Sequence, residues 1–132
     1  MAIYVLHERL QGKNSEFVLW LNTLPFGQEC IDTYPVCFTD ADLKFLKGSS
    51  LIDNVNCLKA DIRHDYNLIC DKVPAMRKFT LNDFIQSMMM TFSHSFEIEM
   101  EGEPTKVFVP FVDLHKHSTY NFQVDAHYDG KS

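Results

Sequence analysis

The chain has 132 residues, 45% apolar and 23% charged, with five Gly and five Pro; it can bury one core covering roughly two-thirds of its unfolded surface, and no low-complexity tract or linker is visible. A formal charge of -6 and a pI near 5.4, with Lys and Arg scattered, argue against a nucleic-acid module and leave protein partners open. The longest apolar run, Phe17-Val-Leu-Trp-Leu21, is too short to cross a bilayer and no charged-then-apolar leader opens the chain, so the expected place is intracellular, cytoplasmic or nuclear, with no membrane partner.

Apolar spacing divides the chain into a helical first two-thirds and an extended last third, an α+β class that is mainly α. Ser15 is placed to cap a helix whose face is Phe17, Trp20, Leu21 and Leu24, ending at Leu24-Pro-Phe-Gly27, with Trp20 in the core. Thr39-Asp-Ala-Asp42 reads as a capping box and Gly48 as a C-terminal stop, outlining one short helix. Leu51, Val55, Leu58, Ile62, Tyr66 and Ile69 then recur every three or four residues until Pro74, which predicts a long amphipathic helix.

A second Thr-x-x-Asp cap, Thr80 to Asp83, opens another helix with Leu81, Phe84, Ile85, Met88, Phe92 and Phe96 on its buried face. The run Met88 to Met90 reads as adaptable core packing. From Ser95 on the period changes to two. Phe96 to Met100 alternates apolar and acidic, Glu101-Gly-Glu-Pro104 has turn chemistry, and Lys106 to Pro110 is the return strand of a hairpin. Asn121 to Tyr128 is a further candidate strand. Cys30, Cys37, Cys57 and Cys70 form no Cys-x-x-Cys pair and are expected to be reduced, mostly buried thiols.

The stretch with most chemistry is Val109-Pro-Phe-Val-Asp-Leu-His-Lys-His-Ser118. Asp113, His115 and His117 stand at alternate positions, and on an extended segment such side chains share one face, so a metal site is one reading, with His127 as a possible fourth ligand. The competing reading is a loop with solvated or hydrogen-bonded histidines, since no second anchored cluster accompanies the three. No Gly-x-Gly-x-x-Gly, P-loop or Gly-x-Ser-x-Gly motif occurs, and nothing local links a Cys to a His as a nucleophile pair.

The order of these segments resembles the SET-domain methyltransferases of the Rubisco large-subunit methyltransferase type. Ser15-Glu-Phe-Val-Leu-Trp-Leu-Asn-Thr-Leu-Pro25 resembles that family's Ser-x-Trp-x-x-Tyr-Leu-x-x-Leu-Pro. Asp42-Leu-Lys-Phe-Leu-Lys-Gly-Ser-Ser-Leu51 is similar to its acidic helix ending in Leu-x-Gly-Thr-x-Leu. Thr91-Phe-Ser-His-Ser-Phe96, a hairpin, and Val-Pro-Phe-Val-Asp-Leu-x-x-His-Ser follow in the family's order, so the likeness runs from about Ser15 to Asn121.

The resemblance implies a helical insertion over residues 1–95 and part of a SET β region over 96–132. It implies S-adenosylmethionine as cofactor and a protein lysine as substrate, the amine displacing the sulfonium methyl in line. Asp113 and His117 match the cofactor loop, with Ser118 and Asn121 beside them, and His94 and Lys116 occupy two further cofactor positions. At those two the chain departs: the family has Arg where His94 stands and Asn where Lys116 stands. An imidazole lacks the guanidinium's permanent charge and two-pronged donation. A Lys116 ammonium about 4 Å from a sulfonium would be repelled by about 4 kcal/mol at an effective dielectric of about 20, roughly a thousandfold in affinity.

None of the glycines forms the family's Gly-x-Gly turn, and neither Tyr120 nor Tyr128 matches its active-site Tyr. The expected function is therefore a partial or degenerate protein-lysine methyltransferase, with weak or absent cofactor binding and no catalytic residues to assign. Two alternatives stand beside it. One is a protein-interaction module whose exposed helical faces bind a partner or self-associate. The other is the metal site at Asp113, His115 and His117.

Overall fold

Helix α1, Ala2–Gln11, starts the chain in a computed structural model that describes residues 1–114. Sequence reading found no separate element here, yet Ala2, Val5 and Leu6 form a helical stripe that is almost wholly buried, with Leu6 at 0% exposure. The stripe packs against α6, Leu81–His94, where Phe84, Met89 and Met90 supply the facing surface. These two helices make the floor of a single core cluster.

The connection between them is a series of short elements. Helix α2, Val18–Leu21, has only four residues, and Trp20 and Leu21 are its buried members. Ser15 does not cap a longer helix. Its hydroxyl donates to Glu8 Oε2 at 2.6 Å and accepts from Phe17 N–H at 3.1 Å, so it pins the chain to α1 at the entry to the turn. Gly27, at φ 75°, begins α3, Gln28–Thr33, and its N–H donates to the buried Gln86 Oε1 of α6 at 2.8 Å. A side-chain residue would be strained in that left-handed backbone.

The two Thr-x-x-Asp boxes form as the sequence predicts. In α4, Asp40–Leu43, Thr39 accepts from Asp42 N–H while the Asp42 carboxylate accepts from Thr39 N–H. Thr80 and Asp83 repeat the arrangement at the start of α6. Those Thr39 hydrogen bonds, side chain first, hold the Asp42 carboxyl below its ordinary range. A 3-10 turn, Lys44–Leu46, continues α4 to Gly48 at φ 91°.

Helix α5, Leu51–Lys72, spans 22 residues and ends just before Pro74. Val55 and Ile62 are buried and Leu58, Tyr66 and Ile69 half-buried, whereas Leu51, at the helix start, is exposed. Tyr66 ties α5 to the following segment by donating to the Phe79 carbonyl at 2.6 Å, and its ring lies 5.9 Å from that of Phe84. On α6 the buried methionines are Met89 and Met90, with Met88 half-buried. Phe92 is exposed, and Phe96 lies beyond the helix on a strand. The apolar period in the sequence thus extends past the buried face at Phe92 and past the helix end at Phe96.

Strands β1, Ser95–Met100, and β2, Glu103–Phe108, pair antiparallel from Ser95 opposite Phe108 to Met100 opposite Glu103. Glu101 and Gly102 form the two-residue turn, at φ 55° and 84°, the positive pair that hairpin twist demands. The return strand thus starts three residues earlier than the sequence reading placed it and includes Pro104. Helices with one antiparallel hairpin make the fold α+β, mainly α. No helix among the described residues is long and apolar enough to cross a membrane.

Candidate functional site

After β2 the chain turns through Val109 to Phe111 into a 3-10 turn, Val112–Leu114. Val112 and Asp113 N–H both donate to the Val109 carbonyl, at 3.1 and 3.4 Å. Phe111 sits at φ 70° with a half-exposed ring. A bulky residue in that region is strained by about 1–3 kcal/mol and persists only where surrounding contacts hold it. Two residues further on, Asp113 anchors the turn to the helices.

Asp113 turns back into the molecule, and its side chain is 1% exposed. Its Oδ2 accepts from Trp20 Nε1 at 3.0 Å and lies 3.0 Å from His94 Nδ1. Three segments far apart in sequence thus meet on one oxygen: the short α2, the last residue of α6, and the turn after the hairpin. The Asp113 contact engages His94 Nδ1, and Nε2 makes no hydrogen bond among the described residues. Asp113 Oδ1 is buried and has no hydrogen-bond partner among the described residues.

Trp20 is the keystone of this arrangement. Its ring is 3% exposed, meets Phe108 edge to face at 5.3 Å and Phe17 at 6.4 Å. Thr23 donates to its carbonyl at 2.7 Å, fixing the backbone that carries it. The sequence placed Trp20 in the core, correctly. It carried no signal for the indole N–H reaching Asp113, because the two are 93 positions apart.

Of the residues singled out in the sequence, His94 and Asp113 are brought together. Lys116, His117, Ser118, Asn121, His115 and His127 lie outside the described residues, as does the candidate strand Asn121 to Tyr128. The three-ligand metal reading therefore falls outside them as well. Among the described residues no group of three or more His, Cys, Asp or Glu is placed to hold a metal.

The cysteines are free thiols. Cys30 and Cys70 are buried, Cys37 is half-buried and Cys57 exposed, so burial is less general than the sequence implied. Burial, reinforced by the neighbouring Cys37, pushes the Cys30 thiol up to about 12, and burial also raises Cys37. Neither is poised as a nucleophile at neutral pH, since the thiolate is the reactive form. No family model, curated protein or solved structure matches the chain.

Proposed function

We propose that the chain is a partial, degenerate protein-lysine methyltransferase of the SET type, and that His94, Asp113 and Trp20 belong to its S-adenosylmethionine pocket. One observation carries this reading. Two motifs that the family resemblance assigns to one cofactor site, 19 residues apart and separated by a hairpin, converge with His94 Nδ1 3.0 Å from Asp113 Oδ2.

The fit to the cofactor is partial, and its parts differ. Asp113 Oδ1, which has no hydrogen-bond partner among the described residues, is a buried acceptor suited to a cationic or N–H donor group of the cofactor. His94 is poorly suited to the cofactor's carboxylate, because Nδ1 is committed to Asp113 and a single imidazole nitrogen remains. The Trp20 indole N–H holds the buried carboxylate, and Phe108 packs on the Trp20 ring. When bound, the cofactor supplies the electrophilic methyl group. This chain's residues would bind and orient it weakly, and with His94 and Lys116 at the two gripping positions no methyl transfer is expected.

Equilibrium dialysis against labelled S-adenosylmethionine tests the proposal. Weak binding by the natural chain, lost in Asp113→Ala and strengthened at least tenfold in a His94→Arg, Lys116→Asn double variant, is the expected pattern. A double variant that folds, by circular dichroism, and binds no cofactor at millimolar concentration would sink it.

A further inference from the structure

Helix α1 has two apolar faces. Ala2, Val5 and Leu6 point into the core, but Ile3, Tyr4 and Leu10 lie on the other side at 43%, 50% and 48% exposure. A helix that is apolar on both faces is ordinarily covered on both. Across from this outer stripe runs the 3-10 segment Pro74–Lys78, and Val73 beside it is 47% exposed. Between them lies a trough of about 530 Å³.

Its charge is unlike that of the rest of the chain. Lys78 is the one side chain of fixed charge lining it among the described residues, with His7 beside it, and no Asp or Glu does so there, although Asp and Glu outnumber Lys and Arg by 18 to 12 overall. Lys78 Nζ rests 5.5 Å from the Phe79 ring centre and forms no ion pair among the described residues. Cleft volumes of about 300–1,000 Å³ suit small ligands too, but those sites enclose most of the ligand. Walls that stay roughly half exposed form an open trough. From Ile3 to Leu10 it runs about 10 Å along the helix, two turns at about 1.5 Å per residue.

We propose that this trough docks an amphipathic helix of a partner protein, with an apolar stripe at i, i+3 or i+4 and i+7 and acidic residues flanking it. The apolar stripe covers Ile3, Tyr4, Leu10 and Val73, and the acidic flank meets Lys78. A second copy of this chain is a poorer occupant, because a two-fold contact through the same face brings no Asp or Glu of the described lining to Lys78. The inference does not rest on the methyltransferase reading, and its test involves no cofactor.

The probes are two synthetic amphipathic peptides of about 18 residues, long enough to hold a helix. They share one Leu stripe and differ only in Glu or Lys flanks, and calorimetric titration compares them. The Glu-flanked peptide is expected to bind at least tenfold tighter. Lys78→Glu, an exposed change that spares the fold, should abolish or reverse that preference, and Leu10→Asp should weaken both peptides at least tenfold with unchanged circular dichroism. Equal affinities, no binding of either peptide, or a dimer in sedimentation that Leu10→Asp dissociates would each overturn the proposal.

Discussion

Asp113 and Cys30 are both buried polar groups, and they are treated in opposite ways. Asp113 keeps its carboxylate out of water with two hydrogen-bonding neighbours on Oδ2, the arrangement that makes a buried acceptor tolerable. Cys30, buried beside the Cys37 thiol, stays a neutral thiol. The folded chain therefore retains a proton that the unfolded chain releases above about pH 9, its ordinary value being 9.0 against about 12 in the fold. Stability from this group is fully present below pH 9 and is lost as the pH rises toward 12. Urea melts from pH 8 to 11 should show the natural chain losing stability faster than Cys30→Ala over that range. Equal slopes would mean that the thiol is not held protonated. Iodoacetamide should label exposed Cys57 well before Cys30.

At the scale of elements, legibility in the sequence followed the range of the interactions. The long α5, the two capping boxes and the hairpin turn are set by residues within a few positions of each other, and these were readable. Helix α1 escaped because its outer face is also apolar, which blurs the periodic contrast that marks an amphipathic helix. The Ser15 reading failed for a different reason. A buried Glu8 seven positions earlier takes the hydroxyl's hydrogen, and the helix meant to follow shrinks to four residues.

In the candidate site, His94 and Asp113 were legible through the motif likeness, whereas Trp20 joined them through tertiary packing alone. The capping boxes give a test of local against tertiary control. Thr80→Ala removes the hydroxyl that accepts from Asp83 N–H at the head of α6, a 14-residue helix in the core. It should cost about 1 kcal/mol in chemical denaturation. The same change at Thr39, which heads a four-residue exposed helix, should cost less. A larger loss at Thr39 would mean that α4 nucleates more of the fold than its packing indicates.

For the whole molecule, the weak seam lies between the helical body and the hairpin. A two-stranded hairpin is marginally stable by itself in water, and among the described residues β1 and β2 pair only with each other. Their side-chain attachment to the helices runs through Phe108 against Trp20 and, just beyond, through Asp113 on Trp20 and His94. Trp20 thus serves both as core filler and as the latch for the segment that carries Asp113. Two substitutions separate these roles. Trp20→Phe keeps most of the ring packing but removes the indole N–H, leaving Asp113 short of a donor at a cost of about 1–3 kcal/mol. Trp20→Ala also opens a cavity, and about 3–5 kcal/mol is expected. In hydrogen exchange read by mass spectrometry, both variants should lose protection first over residues 95–108, with α5 and α6 still protected, because local opening follows the least-anchored unit. If α6 opens together with the hairpin in Trp20→Phe, the indole N–H is no latch and the two regions fold as one cooperative unit.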